Sequence, residues 1–304
     1  MTSDAASAAP TVPAVPPSSP RRIAGALHRR PRLRLGLLLA TPLGWLGLAY
    51  LGSLLVLFLN AFWTRDAFTG QIIHEFTLQN FVDLFTTDVY RVITLRTVAT
   101  AAAVTVACAV IAFPIAFFMA RVASPRVRGL LVVAVVMPLW ASYLVKVYAW
   151  RLIIAEDGVL NWAIAPLGLK FPGPGDLAVF LVFVYLWLPY MILPIYAGLE
   201  RIPDSLLEAS ADLGARSGLT FRRVVLPLVF PAVVAGSIFT FSLTLGDYIV
   251  PSLVSTTQFI GNVILVQVGP AGNLPFAAAY SMVPLAIMLL YLLIARRLGA
   301  FEAL

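Results

Sequence analysis

Residues 208–227 read EASADLGARSGLTFRRVVLP, a charged interruption between two segments almost free of charge. The apolar run 177–198 precedes it and the apolar run 229–250 follows it. The interruption has an order of its own. Pro203 and Asp204 stop the preceding helix. Ser205 and Glu208 have the S-x-x-E spacing of a capping box, in which each side chain satisfies a backbone donor of the other residue. A short helix over about 205–213 is expected to follow, ended by Gly214 because a left-handed cap costs glycine nothing. Ser217 and Gly218 make a turn, Thr220 caps a second short helix through Arg222 and Arg223, and Pro227 suits the start of the next apolar helix. Pattern alone leaves two readings open. The segment is a well-capped connector in which Glu208 is only a cap, or it is a surface shaped for a partner.

Outward from this segment the chain is apolar. It is 61% hydrophobic and 12% charged, with a mean hydropathy of +0.93; soluble domains carry about one quarter charged residues. Apolar runs at 36–62, 97–120, 127–149, 177–198, 229–250 and 274–295 each exceed the roughly 20 residues that cross a bilayer as a helix. They show no two-residue alternation, and a backbone in lipid must satisfy its own polar groups, so helices are preferred over strands. The fold class is therefore all-α and polytopic, with six transmembrane helices. The first run is too long for a signal-peptide core and reads as a retained span. The pairs Arg21–Arg22 and Arg29–Arg30 suggest a twin-arginine signal, against which five further spans stand. Residues 1–20 are rich in Ala, Pro, Ser and Thr, and 21–34 add six arginines. Residues 1–35 are expected to be a disordered basic cytoplasmic N-terminus, and 36–304 a transmembrane domain.

A net charge of +7 would suggest nucleic acid in a soluble protein. Here the basic residues flank apolar runs and read as topology, with no nucleic-acid partner. Fifteen Arg fall on one set of flanks, among them Arg121, Arg126, Arg128, Arg201, Arg216, Arg222, Arg223, Arg296 and Arg297. The other set holds six basic residues, Arg65, Arg91, Arg96, Lys146, Arg151 and Lys170. The positive-inside rule places both termini and the Glu208 segment in the cytoplasm. Cys108 is the single cysteine, so no disulfide or cysteine-based metal site forms within one chain. His28 and His74 lie on opposite sides, and no metal-ligand or Ser/His/Asp cluster gathers at one depth. No GxxxxGK[ST] sequence is present, so ATP hydrolysis by that route is excluded. No catalytic residue, cofactor or metal is assigned, and an enzyme is the least supported class.

The segment resembles the EAA loop of ABC-importer permeases through Glu208, Ala209, Ser210, Gly214, Val224, Leu226 and Pro227, departing from the pattern at Ser210 and Val224. MPLWASYLVKVYAWRLIIAEDGVLN (137–161) and GDYIVPSLVSTTQFIGNVI (246–264) are similar to stretches of spermidine/putrescine-type permeases within the type I importers, and the likeness covers about 36–300. The resemblance implies a type I permease fold with a cytoplasmic coupling loop, 200–227, whose first short helix docks in a cleft of an ATPase. Glu208, Ala209 and Gly214 would lie at that contact, the small residues 209–211 would permit close approach, and Asp212 and Arg216 would meet charges on the ATPase. Arg222 and Arg223 would face lipid phosphates or protein. The implied partners are two copies of an ATP-binding subunit, a second permease (homologous or identical), an extracytoplasmic solute-binding protein and membrane lipid. The implied place is a bacterial inner membrane, and the implied cargo is a polyamine or a related small organic solute. Two other classes stand beside this reading. One is an ion-gradient-driven secondary transporter acting alone, against which intramembrane acids and broken-helix pairs are sparse. The other is a membrane scaffold without transport.

A polyamine route needs acids and aromatic faces, because ammonium groups bind carboxylates and ring quadrupoles. Trp140, Tyr143 and Trp150 have helical offsets that put them on one face of the third span. Trp187 and Tyr190 pair similarly on the fourth. An interfacial aromatic belt is the alternative. Asp247 is the only acid within an expected span, with Lys146 at similar depth. An unpaired charge deep in lipid costs roughly 2.5–3.5 kcal/mol on insertion scales. Asp247 therefore meets a passing cation, pairs with Lys146, or lies exposed at the outer boundary.

Overall fold

A backbone that cannot reach water closes its hydrogen bonds internally, and the long apolar runs are helical accordingly. The computed structural model describes residues 31–66 and 68–297. The expected disorder of residues 1–20 and the arginines at 21–30 lie outside these described residues. Five helical stretches are long and apolar enough to span a membrane: Leu38–Ala61, Asp88–Val122, Asp176–Glu200, Ser217–Gly246 and Leu274–Arg297. The third expected span is different. It is a pair of helices, Pro125–Trp140 and Tyr143–Ile153, bent by 94°, where the sequence suggested one straight rod over 127–149.

The chain forms two units divided between Leu57 and Phe58. In the first, helix α1 (Pro31–Trp45) runs through a π-helical turn (Leu46–Leu51) into α2 (Gly52–Ala61), which continues past the division. Leu38, Leu43, Leu48 and Leu51 are among its exposed residues, as suits a surface for lipid.

The second unit opens with a two-stranded hairpin, β1 (Thr64–Arg65) and β2 (Ile72–Ile73), paired antiparallel with Thr64 opposite Ile73. The Asp66 carboxylate turns the hairpin by accepting from the backbone N–H groups of Thr69 (2.7 Å) and Phe68 (2.8 Å). These bonds hold its pKa below the ordinary carboxylate value. Helix α3 (Gln79–Thr86) leads into α4 (Asp88–Phe117), which ends in a π-helical turn (Phe118–Val122). Then come α5 (Pro125–Trp140), α6 (Tyr143–Ile153), α7 (Val159–Ile164) and α8 (Asp176–Glu200). After the short α9 (Asp204–Asp212) and α10 (Ser217–Thr220), a π-helical turn (Phe221–Val225) enters α11 (Leu226–Gly246). Helices α12 (Ile249–Val254), α13 (Ile260–Val268) and α14 (Leu274–Arg297) complete the described chain.

The core lies where α4, α8 and α11 pack together. Val104, Cys108, Ala112 and Ala116 of α4 share one buried cluster with Val182, Phe183, Leu186, Met191 and Ile195 of α8. Small residues bring α8 and α11 close. A Cβ on Gly198 would stand 2.6 Å from Ala232 Cβ, and one on Gly236 would stand 2.8 Å from Met191 Sδ and 3.3 Å from Met191 Cα.

Two junctions differ from expectation, and proline explains part of each. Pro227 cannot donate to the carbonyl four residues back, and its ring crowds that carbonyl. The chain widens into the π-helical turn there, so Ser217–Gly246 is one continuous helical stretch. Thr220 therefore does not cap a separate helix. At the bend, Pro138 removes a donor from the last turn of α5, and Ala141 and Ser142 are extended. The freed Pro138 carbonyl accepts from Lys146 Nζ at 3.2 Å, which satisfies an acceptor left by the helix end.

Candidate functional site

Two places gather the residues singled out by the sequence. The first is the surface segment 204–217. Helix α9 begins at Asp204, one residue earlier than expected, with Pro203 at the cap position and no side-chain cap bond. Ser205 thus lies inside the helix and the Ser205–Glu208 capping box does not form. Glu208 makes no hydrogen bond or ion pair with the described residues, so it is not a cap. The far end follows the expected glycine rule. Gly214 has φ +76°, and two backbone bonds close the helix, Gly214 N to Ala211 O (2.8 Å) and Ala215 N to Ser210 O (3.1 Å). This is the double closure of a Schellman end, a left-handed position that glycine takes without strain. Ser210 Oγ lies 2.8 Å from Thr220 Oγ1 and ties α9 to α10. Phe221 meets Phe113 and Phe117 edge-on, with centroids 5.4 and 6.4 Å away, and holds the start of the long helical stretch against α4.

No residue of α9 is buried. Glu208, Ala209, Asp212, Gly214 and Arg216 are exposed and Ser210 is half-buried. Leu213, which the sequence reading passed over, is 88% exposed at the helix end. Its signal was available: an isolated leucine beside the glycine that ends the helix. Arg121 and Arg128 were also missed, having been read only as topology markers. Both bind the chain around residue 200.

The second place is where two interrupted helices meet. The α5–α6 bend presents Tyr143, and the gap between α11 and α12 presents Asp247. The Tyr143 hydroxyl donates to Asp247 Oδ2. Asp247 Oδ1 accepts from Val250 N at 2.9 Å. The Tyr143 ring stacks on Trp187, with centroids 5.9 Å apart and planes at 12°. Trp187 meets Tyr190 at 5.9 Å, and Tyr190 stacks on Phe239 at 6.4 Å. Trp187 is near the middle of α8, on the order of 20 Å from Glu200 at the helical rise of ~1.5 Å per residue. Its Nε1 is buried and has no hydrogen-bond partner among the described residues.

Three expectations for this region are corrected. Trp140, Tyr143 and Trp150 do not share a face, because the bend separates Trp140 from the other two. Trp140 is 88% exposed and outside the cluster. Trp150 meets Tyr185 at a tilt of 55° with centroids 5.3 Å apart, away from Asp247's contacts. The Lys146–Asp247 ion pair does not form; Lys146 is used at Pro138 O. Asp247 itself is not within a straight span but in the break that ends α11, half-buried.

Gly261 and Asn262 shape this break and were not anticipated. A Cβ on Gly261 would stand 2.9 Å from Asp247 O. Asn262 Nδ2 donates to Tyr248 O (3.0 Å) and Ser252 Oγ (2.6 Å), while its Oδ1 accepts from Phe259 N. Irregular backbone at membrane depth persists where protein or a watery cavity satisfies it, and these bonds do so here. Among the described residues no group of three His, Cys, Asp or Glu could hold a metal.

Comparison with known proteins gives a consistent set of likenesses. Residues 112–300 match the family described as binding-protein-dependent transport system inner membrane component. The chain is 50% identical over 299 residues to an inner membrane ABC transporter permease protein, YdcU, of Escherichia coli, covering 93% of this chain and 95% of that one. It is 33% identical to the spermidine/putrescine transport system permease protein PotB of Haemophilus influenzae, covering 76% and 81%. PotB of Escherichia coli is 32% identical, covering 84% and 94%. Among solved structures, a bacterial ABC transporter that imports alginate superposes with a TM-score of 0.65 at 18% identity, covering 91% of this chain and 99% of that one. The MetNI methionine ABC transporter superposes at 0.52 and 17% identity, covering 67% and 92%.

Proposed function

Because the chain belongs to the family of binding-protein-dependent transport system inner membrane components, we propose that α9 is the surface through which a separate ATPase drives it. The chain is a multi-pass inner-membrane permease subunit of an ABC importer, and its fold is that of importer permeases. The observation that carries the docking reading is the state of α9: closed at its C-terminus by its own backbone, yet with no buried residue and with Glu208 unpaired among the described residues. A helix so shaped offers Ala209, Ala211 and Asp212 to a close-fitting cleft. Two ATPase copies, a second permease and a solute-binding protein complete the proposed assembly. Both termini and α9 lie in the cytoplasm in this reading, supported by the fifteen-to-six distribution of basic residues.

The test is Gly214→Asp in the complete importer. The variant is expected to reach the membrane at the normal level and to lose the link between ATP hydrolysis and uptake. Unaltered ATP-dependent uptake would overturn the reading. A transporter working alone on an ion gradient also builds sites from broken helices, and the bends at 141–142 and 247–248 are more such features than the sequence suggested. Copurification separates the two, since only the importer retains an ATPase.

For the cargo, the Asp247–Tyr143–Trp187–Tyr190 cluster favours a cationic solute. A carboxylate beside aromatic faces attracts ammonium groups, and two PotB relatives are named for spermidine and putrescine transport. In Asp247→Asn at unchanged membrane level, uptake of a diamine is expected to fall about tenfold or more, the loss of roughly 1.4 kcal/mol or more of interaction. Unchanged rate and affinity would remove Asp247 from the path.

A further inference from the structure

Where α8 ends, the chain turns from a buried span into α9, and the last carbonyls of a helix are left without partners. One arginine from another element binds carbonyls at this end, and a second braces the first. Arg121, in the π-helical turn after α4, donates through Nη2 to Leu199 O at 2.7 Å and Ile202 O at 2.6 Å. Its Nη1 reaches Asp204 Oδ1, in the first turn of α9, at 2.7 Å. Arg128, in α5, returns to the turn that bears Arg121. Its Nε donates to Met119 O at 3.1 Å and its Nη2 to Ala120 O at 3.0 Å. Its Nη1 pairs with Glu200 Oε1 at 3.3 Å, and that carboxylate also accepts from the Tyr196 hydroxyl.

The two side chains are therefore interlocked. Arg128 fixes the end of α4 to α5 and to the last residue of α8, and Arg121 fixes the same α4 end to α8 and α9. A guanidinium suits this because its planar fork holds several acceptors at set angles. Helix α9 has no buried residue of its own, so little else fixes its angle. The other ties are Leu207, half-buried against the core, the Ser210–Thr220 hydroxyl pair and the covalent chain.

We infer that Arg121 and Arg128 are positioning residues that set the angle of α9 and pass its displacement into α4, α5 and α8. The inference rests on the reading of α9 as the ATPase-docking surface. Force applied to α9 then reaches α4 and α8 through Arg121 and α5 through Arg128, instead of being lost in the 201–203 turn.

The experiment uses the whole importer in liposomes, with both permeases, the ATPase and the binding protein, and measures ATP hydrolysed per solute imported. Asp204→Asn is the main variant, because this carboxylate is 82% exposed while the Arg121 side chain is 16% exposed. The variant strips the charge from the arm to α9, leaving only a neutral amide oxygen for Arg121 Nη1, and keeps the carbonyl bonds of Arg121 intact. At equal membrane level and with the ATPase still copurifying, the ratio is expected to rise about fivefold or more, the lower end of inter-site coupling effects. Asp204→Glu should restore the wild-type ratio. The double variant with Arg121→Gln should be no worse than Arg121→Gln alone, as expected when both act through one contact. An unchanged ratio in Asp204→Asn, or additive effects in the double variant, overturns the inference. If Arg121→Gln fails to reach the membrane, Asp204→Asn decides alone. If the wild-type chain does not retain an ATPase, the docking reading fails, and this is seen before any variant is made.

Discussion

Gly214 shows how much one backbone angle can decide. Its φ of +76° belongs to the left-handed region, and no atom lies within 4 Å of the position a Cβ would take. Any penalty from substitution is therefore backbone strain, not crowding. Asparagine tolerates this region and valine does not. Gly214→Asn is expected to keep uptake near the wild-type rate. Gly214→Val, carrying a strain of about 1–2 kcal/mol, is expected to fray the end of α9 and to lower uptake severalfold. Transport assays on the two variants check this, and equal activities would dissociate the left-handed cap from function. The cap was legible in the sequence because glycine before a small polar turn has few other uses. The capping box was not, because Asp204 occupies the first turn and shifts Ser205 into the helix. Asp247 was legible as a lone acid, but its partner was not. Tyr143 reaches it only because the chain bends by 94° just before that residue.

At the scale of elements, the α8–α11 contact depends on the absence of side chains. Gly198→Val would place its Cβ against Ala232 Cβ, where ideal geometry leaves 2.6 Å. Overpacking of this kind costs about 1–3 kcal/mol. The variant is expected to melt earlier in detergent, and Ala232→Gly on the facing helix should recover part of the loss. No recovery in the double variant would mean that the two helices are not held by this contact. The six apolar stretches were readable because hydropathy reports the solvent directly. The bend in the third was hidden, since proline does not mark it uniquely. Pro189, Pro194, Pro231 and Pro284 all lie inside helices that continue. What distinguishes Pro138 is a distant acceptor-and-donor arrangement, Lys146 on its carbonyl and Tyr143 on Asp247. The roles of Arg121 and Arg128 were hidden for the same reason: Arg121's acceptors are carbonyls 78 and 81 positions away.

For the whole molecule, orientation is the governing prediction. Cys108 is buried and is the chain's single cysteine, so a cysteine placed on α9 can be followed against a quiet background. With Leu213→Cys, an impermeant thiol reagent is expected to label inside-out vesicles and not intact cells. Labelling from outside would invert the proposed topology and remove α9 from any cytoplasmic partner.

The Schellman end of α9 has one more consequence. The carbonyls of Ala209, Ser210 and Ala211 are already occupied by the chain's own amides, so a visiting motor finds little free main chain there and must recognise side-chain relief. The identity of the motor is then written in a few replaceable groups, with Glu208 and Leu213 foremost. Grafting residues 204–216 into a sister transporter should carry the choice of engine along with them.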